Sequence, residues 1–451
     1  MIQYLGELAG YGIILCFMAY TGIGFLSFLL GKEESTPFYI LQSILIFMLQ
    51  LFLFSVLMIK TEAFEYLFFY LFVQIFLLTC LVMTPLIYET VNRLLLSNMT
   101  MLLGIGLFVI CRLSMQKAVR QLIIALIALA VSFSIPFLVA KLDILKNLTW
   151  LYAALSIGCL LGVYLLGEIT HGSKITFTIA ESITFQPSEF VKILFLFFLA
   201  ALLKKDHSFA RVSLSAVFAG CIVLLPVLSK DLGSALIFFV SYIFVVFAAT
   251  GNILYVGAGF AGGAAAACFG YQTFAHVRTR VLAWQDPWKY IDSKGWAITQ
   301  SLFAIGSGSW FGMGIMQGNP KSIPYVDQDF IFSSICEELG ALFAICLLIV
   351  SLLSFLCMCR IALKATEMFY RLVAFGIGVL YIFQIFLTVG GGINLIPLTG
   401  VTLPFISYGG SSCMTSVFMF FIVQGIQIRN QSQGGEPEDE EEVIEEAALE
   451  S

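Results

Sequence analysis

A polar stretch between residues 271 and 335 contains many of the side chains in this sequence that could carry out chemistry. Its arginine and aspartate side chains are Arg278, Arg280, Asp286, Asp292, Asp327 and Asp329. A carboxylate can take a proton from an attacking group, and a guanidinium can bind an anionic group. A polar segment of this length persists between apolar runs only where water, a partner or a substrate meets it. The stretch is therefore predicted to carry the chemistry of the protein.

Asp329 stands at the junction between this polar stretch and the apolar run that begins at Phe330. A carboxylate there faces a hydrophobic wall on one side and water on the other. Partial desolvation is expected to raise its pKa above about 3.9 and to make it a stronger base. The alternative interpretation is that Asp329 caps the N-terminus of the following helix. Asp327 is close enough in sequence to share a proton or a cation with it.

Arg278 and Arg280 alternate along the chain just before the loop proper. If the segment is extended, both guanidinium groups point the same way and could bind one anionic group. The alternative is that both side chains anchor the chain to lipid headgroups at the interface.

Two further acidic sites lie in apolar runs. Glu189 and Lys192 are three residues apart on one predicted helix face, where a charge costs roughly 3 kcal/mol on insertion scales. They are predicted to form a pair that lines a cavity, or else a structural ion pair near the interface. Glu337 and Glu338 lie about two turns beyond Asp329, and at least one should face the bundle interior.

The composition indicates a helical membrane protein. Apolar residues make up 60% of the sequence and charged residues 11%, whereas a soluble domain is usually about 25% charged. The apolar runs predict an all-α polytopic fold with about thirteen spans of roughly 20 residues each. Their predicted extents are 8–30, 38–59, 66–87, 94–112, 121–140, 149–169, 188–203, 211–229, 232–250, 252–270, 331–358, 370–390 and 405–427.

The basic residues in short loops predict the orientation. Most fall in alternate loops on one side, which is assigned to the cytoplasm: Lys141, Lys146, Lys204, Lys205, Arg211, Arg360, Lys364, Arg371 and Arg429. The N-terminus, interpreted as mature, and loop 271–330 are then outside. Arg112, Lys117 and Arg120 conflict with this assignment. The acidic tail, 431–451, is predicted to be disordered and cytoplasmic, as a solvated end or a docking peptide.

Several other site types are disfavoured. The eleven cysteines are scattered through apolar runs without metal-type spacing, and the three histidines are isolated. The acidic excess comes mainly from the tail, so nothing indicates a nucleic-acid partner. The run 257–262 matches a dinucleotide-binding glycine pattern but lies inside an apolar span, where Gly259 and Gly263 predict a helix-packing surface instead.

Four motifs in order carry a resemblance to a known family. They are the run 185–189 (FQPSE) followed by Lys192; the run 231–234 (DLGS); the loop with RTR at 278–280, GWAITQSLFAIGSGS at 295–309 and DFIF with EELG within 329–340; and the run 400–412 (GVTLPFISYGGSS) after Pro397. This series resembles the SEDS family, the FtsW/RodA/SpoVE cell-wall polymerases. The resemblance covers roughly residues 93–429, with residues 1–92 as about three additional N-terminal transmembrane helices before a core of about ten.

The resemblance implies a peptidoglycan glycosyltransferase that polymerises lipid II at the outer face of the plasma membrane during elongation, division or sporulation. It implies an inverting, single displacement, membrane lipid as surroundings and a class B penicillin-binding protein as partner. Asp329 matches the catalytic aspartate. The residues expected to bind substrate are Arg278, Arg280, Gln300, Ser307, Ser407, Gly409 and Gly410. Those expected to support the site are Glu189, Lys192, Asp231, Asp327, Glu337 and Glu338. No metal ligand is predicted, and a divalent cation is left open.

The sequence departs from the family pattern near this aspartate. The usual Pro-Glu-x-His-Thr-Asp run is replaced by one with Tyr325, Asp327 and Gln328, and Lys230 stands where the family has proline. Thr388 replaces a common asparagine. Two alternatives to catalysis follow: a lipid II flippase that uses the same cavity, and a non-catalytic scaffold for a penicillin-binding protein. The crowding of polar groups at one face and the absence of an internal repeat favour the enzyme over the transporter.

The orientation can be tested by labelling cysteines in intact cells with a membrane-impermeant reagent. Ser309→Cys should be labelled and a cysteine placed in the acidic tail should be protected, because the basic loops predict opposite sides for the two. The parent chain supplies the background. Protection of Ser309→Cys together with labelling of the tail would reverse the assignment.

Overall fold

The computed structural model describes residues 2–170, 173–180 and 183–434. The predicted disorder of the acidic tail concerns residues that are mostly outside these ranges. The last helix continues to Gly434, slightly beyond the predicted start of the tail at residue 431.

The described residues form sixteen α-helices, which are numbered in chain order. They are α1 (Ile2–Leu29), α2 (Thr36–Thr61), α3 (Glu65–Ile87), α4 (Arg93–Leu113), α5 (Met115–Ser132), α6 (Ile135–Lys141), α7 (Thr149–Leu166), α8 (Pro187–Leu203), α9 (Phe209–Leu228), α10 (Leu232–Thr250), α11 (Ile253–Thr273), α12 (Ala275–Gln285), α13 (Trp296–Gly308), α14 (Ile331–Lys364), α15 (Met368–Gly392) and α16 (Gly410–Gly434).

The helical membrane architecture predicted from the sequence is confirmed. Within the described ranges, twelve helical segments are long and apolar enough to cross a membrane. The remaining predicted span, 188–203, corresponds to α8, which has 17 residues and a length of about 25 Å. Its side chains are almost all buried against neighbouring helices. Helix α5 begins at Met115 rather than at residue 121, so Lys117 and Arg120 belong to a helix and not to a loop.

A small antiparallel sheet joins α7 to α8 and was not predicted. Its strands are β1 (Glu168–Thr170), β2 (Ser173–Ala180) and β3 (Ile183–Phe185), in the order β1-β2-β3. The sequence of β2, SKITFTIA, is rich in β-branched residues, which favour strands.

The long polar segment is partly helical, because it contains α12 and α13. After α13, residues 309–317, called here the crossing loop, run across α14 where that helix is broken at Gly340 (φ 87°). The amides of Ala341 and Leu342 donate to the carbonyls of Ser309 and Trp310, and the amides of Met313 and Gly314 donate to those of Glu337 and Glu338. The loop thus satisfies backbone groups that the break removes from the helix.

The N-terminal unit, defined as α1 to α3, packs beside α4 and α14. Tyr20 of α1 donates a hydrogen bond to Asn98 Oδ1 of α4 at 2.9 Å. Phe17 of α1 packs against Phe343 of α14, with 4.5 Å between ring centroids. The unit is therefore joined to the rest of the bundle by both apolar and polar contacts.

Helix α11 lies at the periphery, and none of its described side chains is buried in the bundle. Added Cβ atoms at Gly259 and Gly263 would lie 2.8 Å from Ile243 and 2.6 Å from Phe239 of α10. These glycines therefore allow α10 and α11 to approach, as expected for a small-residue packing surface.

Two of the basic residues that conflicted with the orientation rule are paired with acids. Arg112 Nη2 lies 2.7 Å from Glu338 Oε1, and Lys117 Nζ lies 2.5 Å from Asp327 Oδ2. Since their charges are compensated locally, these residues add little free positive charge at that end of the bundle. At the opposite end, Arg429 Nη2 lies 2.7 Å from Asp143 Oδ1.

The crossing of the loop and the broken helix leads to a stability prediction. Gly340→Ala should lower the free energy of unfolding by more than about 1 kcal/mol, because alanine disfavours positive φ. Its Cβ would also lie 2.3 Å from the Gly312 amide nitrogen. Gly306→Ala is the matched control, because that glycine is helical and has open space around it. Thermal unfolding in detergent should separate the two, and equal melting temperatures would contradict the close crossing.

Candidate active site

A cavity of about 300 Å³ opens at the end of the bundle where α8, α10 and α14 begin. The polar side chains that line it come from the start of α8, the α9–α10 turn and the start of α10, α12, the segment before α14 and the segment between α15 and α16. They include Gln186, Glu189, Lys192, Lys230, Asp231, Ser234, Arg280, Tyr325, Gln328, Asp329, Thr399 and Thr402. Segments that are distant in sequence therefore bring acids and bases together in one place.

Asp329 lies at this cavity, immediately before α14. The helix begins at Ile331 with Phe330 as its N-cap residue, and no side chain in the described chain caps it. The capping role considered for Asp329 is therefore wrong. Burial raises the pKa of Asp329 to about 6; Arg280 opposes that rise and Asp327 adds to it. The upward shift expected from the sequence is thus confirmed, with desolvation as its main cause.

Arg280 faces Asp329 from α12. Its Nη1 atom donates to the carbonyl oxygens of Leu398 at 3.2 Å and Thr399 at 3.0 Å. Burial lowers the pKa of Arg280, and the nearby carboxylate of Asp329 opposes that effect. Gly400, with a φ of 76°, lets the backbone approach both groups. A Cβ there would be 3.8 Å from Asp329 Oδ2 and 4.0 Å from Arg280 Nη2.

Arg278 does not join Arg280 at the cavity. The segment is helical rather than extended, so the prediction that both side chains point the same way was wrong. Residues two apart on a helix face different directions. Arg278 is exposed, and its Nη2 atom donates to the carbonyl of Gln272 at 2.9 Å.

Glu189 and Lys192 form a buried pair in the first turns of α8. Lys192 Nζ lies 2.7 Å from Glu189 Oε1 and 3.0 Å from Gln384 Oε1 of α15. The side-chain amide nitrogen of Gln384 donates in turn to the backbone carbonyl of Thr402 at 2.9 Å. Since Glu189, Lys192 and Thr402 all line the cavity, the pair links its wall to a chain of hydrogen bonds in the interior.

The turn between α9 and α10 adds one acid and one base. Asp231 caps α10, accepting hydrogen bonds from the amide and the hydroxyl group of Ser234 at 3.1 and 2.6 Å. Lys230 lines the cavity and has a positive φ of 64°. A strained backbone of this kind is common at functional sites. Sequence reasoning did not assign Lys230 a role, although its departure from the family pattern beside Asp231 was a usable signal.

Known proteins resemble this chain in sequence and in fold. The model of the FtsW/RodA/SpoVE family, described as cell cycle proteins, matches residues 92–432. The chain belongs to this family. Curated FtsW/RodA/SpoVE relatives include the peptidoglycan glycosyltransferase RodA of Mycobacterium leprae, 34% identical over 53% of this chain and 55% of that protein. The probable peptidoglycan glycosyltransferase FtsW of Pseudomonas fluorescens is 30% identical over 69% of this chain and 81% of that protein.

The chain spans little more than half the length of the RodA relatives it matches, at 55% for the M. leprae protein and 58% for that of M. tuberculosis. Among solved structures, a chain from a peptidoglycan synthase complex matches with a TM-score of 0.65 and 24% identity, covering 76% of this chain and 99% of that one. Thermus thermophilus RodA matches with a TM-score of 0.56 and 24% identity over 75% and 97% of the two chains. These similarities show a shared fold.

In this FtsW/RodA/SpoVE chain, Asp327 is engaged away from Asp329. It pairs with Lys117, whose Nζ also lies 5.4 Å from the ring centroid of Tyr408. The backbone carbonyl of Asp327 accepts a hydrogen bond from the Tyr408 amide. Asp327 therefore fixes the segment before α14, and its charge contributes to the raised pKa of Asp329.

Glu337 and Glu338 are both buried, so the expectation that at least one faces the interior is confirmed. Glu338 accepts from Arg112 and from the Met316 amide, and Glu337 accepts from the Asn319 amide at 2.8 Å. Both carboxylates thus hold the crossing loop and its continuation, and neither lines the cavity.

Five other predicted substrate contacts lie outside the residues that line the cavity: Gln300, Ser307, Ser407, Gly409 and Gly410. The Ser307 hydroxyl group donates to the carbonyl of Ala304 at 2.9 Å, and that of Ser407 donates to the carbonyl of Gln328 at 2.6 Å. Ser407 therefore supports the cavity segment through its backbone. Contact with substrate stays a prediction for all five.

No group of three or more histidine, cysteine, aspartate or glutamate side chains that could hold a metal ion is found in the described part of the chain. Asp231 and Asp329 both line the cavity. The aspartates of the cavity wall could therefore offer a divalent cation two carboxylates at most.

The buried pair of α8 leads to a second stability prediction. Lys192→Ala should cost several kcal/mol, about 3–5 for a buried pair, because it leaves Glu189 without its partner. Glu189→Gln combined with Lys192→Met should be more stable than Lys192→Ala alone, since no uncompensated charge remains. The melting temperatures of Glu189→Gln, Lys192→Met and the double variant, compared with the parent, form a double-mutant cycle. Additive effects in that cycle would show that the two residues do not interact.

Proposed function

We propose that this protein is a peptidoglycan glycosyltransferase that polymerises lipid II. The observation that carries the proposal is the position of Asp329, a partly desolvated carboxylate that shares a cavity with Arg280, Lys192 and Lys230. The activity named for the curated RodA and FtsW relatives requires such a combination of a base and cations.

The reaction needs one proton transfer and one displacement. Asp329 takes the proton from the acceptor sugar hydroxyl group while the hydroxyl oxygen attacks the anomeric carbon of the donor. The bond from that carbon to the lipid pyrophosphate breaks, and the pyrophosphate leaves with the bonding electrons. One displacement inverts the anomeric configuration and needs no covalent intermediate with the protein.

The cations of the cavity suit the leaving group. Arg280 is held through Nη1 by two backbone carbonyls, while its Nη2 atom lies beside Gly400, as does the Asp329 carboxylate. Lys230 lines the same wall. We assign both to the pyrophosphate, whose charge develops further as it leaves. Lys192 is already bonded to Glu189 and Gln384, and it supports the wall.

The location of the cavity suits a lipid-linked substrate. The cavity lies at the end of the bundle where the apolar segments begin, so a polyprenyl tail can stay in the bilayer while its sugar reaches Asp329. We place this end at the outer face of the plasma membrane, with residues 1–92 as an addition to a catalytic core of residues 93–430. The match to a chain from a complex that coordinates polymerisation and crosslinking supports a crosslinking partner. We propose that this partner is a penicillin-binding protein of class B.

Asp329→Asn tests the base. Asparagine keeps the shape of the side chain but cannot take a proton, so polymerisation should fall by about two orders of magnitude or more. Asp327→Asn is the control because it changes a neighbouring carboxylate that is bonded to Lys117, and it should cost much less. Glycan chains made from labelled lipid II by purified protein are measured, with melting temperature as the check on folding.

The same assay carries a pH dependence. Because Asp329 acts as a base only when ionised, and its pKa is raised to about 6, kcat/KM should fall as the pH decreases through about 6. Ionisation of a group with a raised pKa costs stability above that pH, so Asp329→Asn should not melt lower than the parent at pH 7.5.

Near-normal polymer from folded Asp329→Asn would refute the role of Asp329 as the base, and transport of lipid II without polymer would support the flippase alternative.

A further inference from the structure

The N-terminal unit contacts the crossing loop at the cavity end of the bundle. Lys60 Nζ, in the last turn of α2, donates to the carbonyl of Ile315 at 2.8 Å. The side-chain amide of Gln317, in the orientation that satisfies both its oxygen and its nitrogen, accepts from the same Nζ through its oxygen at 2.9 Å. The ring of Tyr11 on α1 meets that of Phe311 edge-on, with 5.6 Å between centroids. Two helices of the unit therefore hold this loop from outside.

The same unit is also fixed to α14 on the other side of the break. Phe17 packs against Phe343, three residues after Gly340. Near the opposite end of the bundle, the Arg360 guanidinium lies 3.8 Å from the ring centroid of Phe28 and pairs with Glu33. Helix α1 and the turn after it thus run beside the part of α14 that follows Gly340. The same unit also contacts the crossing loop, which lies beside the part of α14 that precedes Gly340.

The segment of α14 that precedes Gly340, residues 331–339, is called here the broken half. It begins two residues after Asp329. Its far end is held by the crossing loop, through the carbonyls of Glu337 and Glu338 and the carboxylate of Glu338. Arg280, by contrast, is held by the carbonyls of Leu398 and Thr399. Movement of the broken half would therefore change the distance between Asp329 and Arg280 without moving the arginine.

We propose that the N-terminal unit positions Asp329 for the reaction, with Lys60 as the positioning residue through which it holds the crossing loop. The proposal rests on the proposed function for the role of Asp329, whereas the contact between Lys60 and the loop stands on geometry alone. Lys60 acts through the loop and is not itself at the cavity. A unit that only adds lipid-facing surface would contribute to stability but would leave Asp329 unaffected.

The first test compares full-length Lys60→Met with Lys32→Met. Methionine keeps much of the side-chain volume and removes the donor, and Lys32 is an exposed lysine in the same unit at the opposite end. Hydrogen exchange of peptides covering 309–317 and 331–339 should be about tenfold faster in Lys60→Met, because the loop opens more readily. It should be unchanged in Lys32→Met, and Lys60→Arg should restore the wild-type rate.

The second test measures Asp329 without relying on turnover. Modification by a water-soluble carbodiimide requires the protonated carboxyl group, so its pH dependence, measured by mass spectrometry, reports the pKa of Asp329. In Lys60→Met the midpoint should fall by about one unit, because loosening the segment admits water and burial is the main cause of the raised value. With lipid II, kcat should fall about tenfold with KM within about twofold, since the groups for the pyrophosphate stay in place.

An unchanged Asp329 midpoint in folded Lys60→Met, or faster loop exchange with wild-type kcat, would overturn the positioning role. If Lys60→Met does not fold, Tyr11→Leu, which removes the ring contact with Phe311, should give the same changes, and no change there would count equally against the proposal. Wild-type protein that makes no polymer would refute the proposed function instead. The exchange and modification measurements would still decide whether Lys60 controls Asp329.

Discussion

The contact between the crossing loop and the broken helix α14 is the constraint on which the candidate site depends. A break at Gly340 leaves buried amides and carbonyls that must find partners, and each one left without a partner would cost about 1–3 kcal/mol. Backbone bonds from residues 309–317 supply those partners. The segment that begins at Ile331 can then have a fixed position, and Asp329 with it. The geometry of the carboxylate is thus set by a contact about two helical turns away.

Charge balance explains how the cavity tolerates so many ionisable groups. Its wall carries both acids and bases, with Glu189 bonded to Lys192 and Asp329 facing Arg280. Asp231 is satisfied by the helix that it caps. At Asp329, attraction to Arg280 does not fully offset the effect of burial, so the pKa of this carboxyl group rises. A carboxylate with a raised pKa is a stronger base once it is ionised, and this suits Asp329 to accept a proton.

The sequence predicted what depends on local pattern. Apolar runs locate the spans, and the end of the polar stretch locates Asp329, because both follow from which residues meet lipid and which meet water. The helical form of 275–285 was missed since alternation of Arg278 and Arg280 was read as a strand-like pattern. Contacts between distant residues were also out of reach. Lys117 pairs with Asp327 across 210 positions and Lys60 meets Ile315 across 255, and no periodicity reports such pairs.

These distant pairs change how the basic residues near the cavity bear on orientation. The positive-inside rule concerns charges that must remain on one side of the membrane during insertion, and it counts residues rather than pairs. Arg112 and Lys117 are basic in the sequence but are each bonded to a carboxylate in the fold. In the orientation that we propose, placing either residue on the outer side then costs little in the folded protein, whereas losing it would leave Glu338 or Asp327 without its partner. Two of the three exceptions to the rule therefore lie where the fold requires a cation.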